Sequence, residues 1–579
     1  MFKFNFISVL FFLVITGIQF LSYCKLITNA YVIVVLFLSL VFTSAFYFKD
    51  LKYFFNNFRV KLENRFHILF FIILIMLLIQ ALVYPPNNWD SMTYHMSRIV
   101  YWMNNQSIDY FLTSNARKNI LSPGAEILIM IPQIIFNSDR FANLLQTYGL
   151  VLVFYSNLNS AKLLNPFVDH ITSFFIGFSS IAFPMSLMQA SSTQNDLIAA
   201  GFTCLSVYNL LLVAKDSPST QNWIQLGISL GLTYLIKPTG IIVFVPIAFY
   251  LVIFYTKRIF NNGASFLRLA LSIFFFLLIV LPDSVRKYNS TGSFFGNRME
   301  VSSFSEPITP KLFSSLKAIF YHIPVPSLCK TELYQYVNAK VGVVGSIDSD
   351  PCLNASIIHE DYIGNPIHIF LLFSLTIFFL FKVFYSREKS KFILVVPIVT
   401  WIFFHIVVKD QIWISRLHTP IFSVMPLSFI ILKRRELKIA QTFLIFLLFG
   451  FGVYYLLNNS SRKLSDLNSF SNNREIKYYE NRPELMHLHN AIGKQLNSSM
   501  CKSLGLVLGE DSWDYPIIWN AYKSGIAIGE VIQISDAENY CAIYSEFADF
   551  KSENFVRIDN LFLKRKSIRV DRTTNTFGD

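Results

Sequence analysis

The chain has 579 residues, 53% of them hydrophobic and only 15% charged, with a mean hydropathy of +0.46. A soluble protein of this length needs a far larger polar surface, so the apolar excess has to face lipid and a soluble globular protein is excluded. The formal charge of +13, from 49 Lys plus Arg against 36 Asp plus Glu, falls mainly in short loops between apolar runs. That distribution points to cytoplasmic loops under the positive-inside rule, and not to nucleic acid.

In chain order, about thirteen apolar runs approach the roughly 20 residues of a bilayer-spanning helix. They lie near 4–24, 29–48, 66–84, 142–161, 171–190, 197–214, 222–236, 240–256, 269–283, 366–384, 392–408, 418–432 and 439–457. The first, Phe4 to Cys24, has only Lys3 before it and no small-residue cleavage pattern, so it reads as a retained helix. With the N-terminus inside, the inner loops collect Lys49, Lys52, Arg59, Lys61 and Arg65, then Lys257, Arg258 and Arg268. Further on they collect Lys382, Arg387, Lys389 and Lys391, then Lys433, Arg434, Arg435 and Lys438. This alternation puts three large segments outside: about 85–141, about 284–365, and the tail 458–579.

The expected fold is mainly α. It is a polytopic helical membrane domain over 1–457 with outer interfacial helices, followed by a small extracytoplasmic α/β domain over 458–579. The tail carries short apolar runs, Ser503–Leu508 and Ile526–Ile534, and a helical stretch between Pro483 and Asn497. Cys24 and Cys204 lie in or beside spans, whereas Cys329 and Cys352 share the second outer segment and Cys501 and Cys541 share the tail. Two pairs, each within one outer segment, predict two disulfides in an oxidising compartment. No CxxC or Cys/His spacing suggests structural zinc.

The first outer segment opens Pro85-Pro86-Asn87-Asn88-Trp89-Asp90-Ser91-Met92-Thr93-Tyr94-His95. Two prolines stop a helix at the membrane face and present Asp90 a few residues later. Met92, Met96, Ile99, Val100 and Met103 then recur at helical spacing, which predicts an amphipathic helix over Ser91–Asn104 lying in the membrane plane. Arg117 and Lys118 follow in a polar stretch, and Ser122-Pro123 starts a second apolar helix, with serine as cap.

This arrangement resembles the first outer loop of the C-type glycosyltransferase superfamily (GT-C), which includes protein O-mannosyltransferases and lipid A aminoarabinose transferases. Trp89-Asp90-Ser91-Met92-Thr93-Tyr94-His95-Met96 looks more closely like a bacterial, family 39-like branch. The resemblance equates Asp90 with the family's first-loop aspartate and Asp196, in Thr193-Gln194-Asn195-Asp196, with its second acidic residue. Lys237-Pro238-Thr239-Gly240 resembles a Lys-x-x-Gly element, and His359–Pro366 and Gln411–His418 precede later spans. Many relatives carry an acidic pair where Ser91 follows Asp90 here, and two extra spans precede the loop, a number that keeps its sidedness.

Glycosyl transfer from a phosphate carrier needs a base near the acceptor and cations for the departing phosphate. Asp90 and Asp196 are the expected catalytic pair. Lys237 and Arg416, at outer turns against the positive-inside bias, are expected on the carrier phosphate, joined by Arg117 or Lys118. His95, Glu360, Asp361 and Trp413 complete the expected substrate contacts, with Trp89 and Tyr94 as further stacking candidates. Metal dependence stays open, since an Asp90–Asp196 pair could bind Mg²⁺ or Mn²⁺ or work without either. Each residue has a blander reading beside this one. Asp90 and Asp196 would be helix caps, Trp89 and Trp413 members of an aromatic belt, His95 a partnered histidine, and Arg98 a contact to lipid head groups.

The resemblance implies a transferase in a bacterial inner membrane, with its site and C-terminal domain outside. Its donor would be a polyprenyl-phosphate sugar, its acceptor a lipid, glycan or protein, and its surroundings membrane lipids. The rivals are a polysaccharide polymerase or ligase acting on a diphosphate-linked glycan, and a secondary transporter. Transport is disfavoured by the lack of an internal repeat and by charges that cluster at span ends, not at the midplane.

Overall fold

The computed structural model describes residues 2–48, 52, 65–215, 218–260, 263–294, 307–341, 351–385, 394–431, 437–465, 473–499, 501–547, 555–558 and 561–564. Helices Phe2–Tyr23, Asn29–Phe46, His67–Val83, Leu144–Leu164, Asp196–Val213, Thr220–Ile236, Thr239–Ile259, Ala264–Thr291, Pro366–Tyr385, Val396–Val407 and Leu437–Leu457 occupy eleven of the expected runs. The other two are broken. One divides into His170–Ser179 and Pro184–Gln189, because Pro184 starts a new helix behind an extended Phe183. The other passes from Thr419–Val424 into a 3-10 turn at Met425–Ile431. Among the described residues, six helices are long and apolar enough to cross a membrane by length and composition, against the thirteen expected.

The helix Asn29–Phe46 turns Phe37 and Phe42 outward, while Asp196–Val213 is buried along almost its whole length and forms the centre of the bundle. Exposed phenylalanines on long apolar helices need lipid around them, and the chain is an integral membrane protein. The helices Thr220–Ile236 and Ala264–Thr291 approach so closely that a Cβ on Gly227 would collide with the Ser272 carbonyl oxygen, so only glycine fits there. Of the expected inner-loop cations, Lys49, Arg59, Lys61, Arg387, Lys389, Lys391, Lys433, Arg434 and Arg435 lie outside the described residues, as do the side chains of Lys257, Arg258 and Lys382.

The C-terminal segment folds into a five-stranded sheet of β1 (Ser503–Val507), β2 (Ala527–Glu530), β3 (Ala542–Ser545), β4 (Phe555–Ile558) and β5 (Leu561–Lys564). The order is β2-β1-β3-β5-β4, with β1 parallel to both neighbours and β5 antiparallel to both of its own. The helix Tyr515–Lys523 makes the crossover from β1 to β2, as parallel pairing requires, and Leu485–Ser498 precedes the sheet. Both expected disulfides form, Cys329–Cys352 and Cys501–Cys541, and Cys24 and Cys204 are free.

The C-terminal segment is packed onto the first loop. Met92, Met96, Ile99 and Met103 share one apolar cluster with Trp513, Tyr515 and Ile518. This corrects the expectation of an amphipathic helix lying in the membrane plane. The helix Met96–Asn105 is buried from Met96 to Met103, because its polar side is covered by protein. Ser97 donates to Asp514 at 2.5 Å, and Asn104 exchanges two 3.1 Å hydrogen bonds with the backbone of Ile528. Arg98 is fully buried on Glu126 and meets no lipid head group.

Candidate functional site

After Tyr84 the prolines release the chain from the span, and Asn88 takes over as cap. Its Oδ1 accepts from the backbone N–H of Ser91 at 2.7 Å and from the Ser91 hydroxyl at 2.5 Å. Asp90 makes no capping hydrogen bond and is left to face the bundle, directly before a π-helical turn at Ser91–His95. Such turns swing a side chain out of the regular helical path. The Ser91 hydroxyl also pairs with that of Thr193, tying this loop to the segment that carries Asp196.

Arg416 stands at the centre. One Nη donates to Asp90 at 2.6 Å and to Asp361 at 3.1 Å, and its Nε lies 3.4 Å from Asp196. Lys237 completes the group with its Nζ 2.6 Å from the other Asp196 oxygen. Gln194 donates to Asp361 at 2.6 Å, and His359 Nδ1 lies 3.5 Å from the same carboxylate. Five chemistry-bearing residues from five separate segments thus converge at one end of the bundle, almost shut off from solvent. Side-chain exposure is 13% for Asp90, 10% for Arg416 and 18% for Lys237.

Burial raises the Asp90 carboxyl, but the positive charge around it, led by Arg416 and reinforced by His95, Arg117 and Lys237, prevails and holds it at about 2. The Asp361 carboxyl moves the other way, above its ordinary range. Burial drives the rise with help from Asp90 and Glu360, against His359 and Arg416.

The remaining predicted residues are placed unevenly. Arg117 lies at the rim, with its guanidinium 5.0 Å over the Tyr94 ring and held by Asp511. His95 pairs with Glu126, which also receives Arg98 and, at 3.1 Å, Asn195, so one carboxylate links the Asp90 turn to the residue before Asp196. Trp413 packs on Tyr362 with ring centroids 5.3 Å apart. Two expected substrate contacts stand elsewhere. Lys118 is buried under the C-terminal segment, 2.7 Å from Asp514 and 2.9 Å from Glu530. Glu360 turns away from Arg416 to meet Arg462 at 3.0 Å. The sequence alone assigns no role to Glu126, Arg462 or Gln194. A lone acid in the run Gly124-Ala125-Glu126-Ile127-Leu128-Ile129 is a signal that could have found the first.

A divalent cation between Asp90 and Asp196 does not fit this arrangement, since the Arg416 guanidinium already lies between them and Lys237 holds an Asp196 oxygen. Among the described residues, no three His, Cys, Asp or Glu side chains are grouped to hold a metal.

Residues 150–283 match the sequence profile of the family described as dolichyl-phosphate-mannose-protein mannosyltransferase. No curated protein matches significantly in sequence. Among solved structures, ArnT from Cupriavidus metallidurans bound to undecaprenyl phosphate matches with a TM-score of 0.48 and 10% identity over 86% of this chain and 97% of that one. The same protein in its apo state matches with a TM-score of 0.46 and 10% identity, over 83% and 91% of the two chains.

Proposed function

We propose that this chain, a member of the GT-C superfamily, is a membrane glycosyltransferase that moves a sugar from a polyprenyl-phosphate carrier to an acceptor hydroxyl on the extracytoplasmic face. The observation that carries this reading is the convergence of Arg416, Lys237, Asp90, Asp196 and Asp361 at one end of an apolar bundle. Guanidinium and ammonium groups at a membrane end suit a lipid-borne phosphate, and carboxylates beside them suit proton removal from an acceptor.

In the resting site each cation is held by carboxylates. The arriving carrier phosphate competes for Arg416 and Lys237. As Arg416 turns to the phosphate, Asp90 loses the charge that keeps it weakly basic, and burial then raises its carboxyl. The base is thereby armed only when the donor is present. The acceptor oxygen attacks the anomeric carbon, and the bond from that carbon to the phosphate oxygen breaks. The acceptor proton passes to Asp90, the free polyprenyl phosphate leaves with the bonding electrons, and the configuration inverts. Arg416 and Lys237 stabilise the charge that grows on the leaving phosphate.

The test is release of free polyprenyl phosphate from a panel of radiolabelled polyprenyl-phosphate sugars, using purified protein in lipid with a cell-envelope extract as acceptor source. Release that requires Asp90 supports the transferase. No release from any monophosphate donor, together with turnover of diphosphate-linked glycans, would instead support a polymerase or ligase.

A further inference from the structure

Behind Arg416 lie three histidines that the chemistry above does not use. His322, His405 and His418 come from three segments and are all buried, at 0%, 1% and 0% exposure. His405 Nδ1 is 2.8 Å from the Trp401 carbonyl oxygen, which can only accept, so this nitrogen carries a proton. His405 Nε2 is 3.1 Å from His418 Nε2, and His418 Nδ1 is 2.8 Å from His322 Nε2. At the far end the backbone N–H of Asn365 donates to His322 Nδ1 at 3.3 Å.

The Asn365 end fixes one direction, and the contact at the Trp401 end agrees with it. Working inward from Trp401, Nε2 of a neutral His405 accepts, so His418 Nε2 donates and its Nδ1 accepts from His322 Nε2–H. Working inward from Asn365, His322 Nδ1 must accept, so His322 Nε2 donates. The assignments agree, and the result is a single chain of neutral imidazoles. An added proton on His418 or His322 would set two N–H groups against each other. His418 uses both nitrogens on its neighbours, so the rings do not converge on a metal.

The placement of this chain relates it to the site. His418 is two residues beyond Arg416 and is packed against the Trp401 ring at 4.5 Å, while Thr419 donates to the Arg416 carbonyl at 2.7 Å. Asn365 is four residues beyond Asp361, and Gly364 lies so close to His322 that a Cβ would meet its backbone at 2.9 Å. One hydrogen-bonded chain therefore fixes both strands of polypeptide whose side chains meet in the 3.1 Å Arg416–Asp361 pair.

We propose that His322, His418 and His405 are positioning residues, a neutral imidazole chain that sets the register between the Arg416 and Asp361 segments. Their role in turnover rests on the transferase reading above; their role in geometry does not. Two variants separate positioning from simple packing. His405→Gln keeps an acceptor for the His418 N–H, whereas His405→Leu fills similar space and leaves that buried donor unpaired.

Three measurements decide it. Nitrogen-15 NMR of the full chain in lipid, labelled at histidine, should show His405 protonated at Nδ1 and His322 and His418 at Nε2; any other assignment overturns the chain. Structures of the two variants by electron cryomicroscopy should show Arg416 and Asp361 drawn apart in His405→Leu and still hydrogen-bonded in His405→Gln; an intact Arg416–Asp361 pair in both overturns the positioning role. In the transferase assay His405→Leu should lose about 100-fold in kcat with donor KM little changed, the scale expected of a 1 Å misplacement, while His405→Gln stays near wild type. Equal activity of the two variants would also overturn it. Wild-type protein inactive on every polyprenyl-phosphate sugar would sink the transferase reading, and the NMR and structural results would then decide the imidazole chain alone.

Discussion

Replacing Asp90 by Asn separates the proposed base from the framework around it. The substitution removes one negative charge but does not strand Arg416, which keeps Asp361 at 3.1 Å and Asp196 at 3.4 Å. Asn88, and not Asp90, caps the following turn, so the local fold also stays supported. A fall in turnover then reads as chemistry. Loss of a positioned general base costs about 10²- to 10⁴-fold, or about 3–5 kcal/mol in the barrier at 1.36 kcal/mol per decade. Donor KM should hold or fall, because Arg416 no longer has Asp90 competing with the phosphate. The assay is kcat and donor KM by release of polyprenyl phosphate, with thermal midpoints measured alongside. Full kcat in a stably folded Asp90→Asn protein would refute the base, and a raised donor KM would refute the competition between Asp90 and phosphate.

Other expectations concern the junction between the first loop and the C-terminal segment. Lys118→Met leaves Asp514 and Glu530 buried without their shared cation, which should cost about 3–5 kcal/mol and speed proteolysis of the C-terminal segment, as read by limited digestion. Burial pushes the Asp514 carboxyl up to about 6 against the pull of Lys118. A folded-state value above the ordinary 3.8 means the folded protein binds the proton more tightly, so ionisation above pH 6 costs about 3 kcal/mol, and stability should rise by about that much as pH falls from about 6 to about 4. Thermal midpoints of Asp514→Asn should lack that rise. Glu126→Gln leaves the fully buried Arg98 without its counter-charge and should lower the thermal midpoint by an amount of the same order as Lys118→Met.

What was legible in the sequence is what sits at the end of an apolar run. Asp90, Asp196, Lys237, Asp361 and Arg416 each stand within a few residues of a span, at the end opposite the basic loops, and hydropathy alone brings such residues to one level of the membrane. Lys118 has no such marker. Its partners lie 396 and 412 residues away in the chain, and only the docking of the C-terminal segment makes it a buried ion pair instead of a phosphate contact. The same docking explains the helix Met96–Asn105. Its apolar period was readable, but the surface that covers the opposite side is built by residues beyond 500. Asp90 does not cap the turn, because Asn88 stands two residues before it to do so and Arg416 holds the Asp90 carboxylate. The imidazole chain lay beyond local patterns, because its three rings come from positions 322, 405 and 418.

Two cations, Arg416 and Lys237, face three carboxylates in a site nearly closed to water. A polyprenyl-phosphate sugar is a phosphodiester, so it adds one more negative charge and does not itself titrate near neutrality. Arg416 cannot satisfy the phosphate and all three carboxylates at once. Asp361, raised by burial and with the guanidinium partly withdrawn, is the group placed to take up a proton. Donor binding is then coupled to proton uptake, and its dissociation constant should fall as pH falls from 8 to 6, by at most about tenfold per unit for one proton. Measured by titration of an unreactive phosphodiester analogue into the protein in lipid, the slope should flatten in Asp361→Asn. A slope of zero in the wild type, or one unchanged by Asp361→Asn, would show that the phosphate enters without disturbing the Arg416 cluster, and the arming of Asp90 by its departure from Arg416 would fall with it.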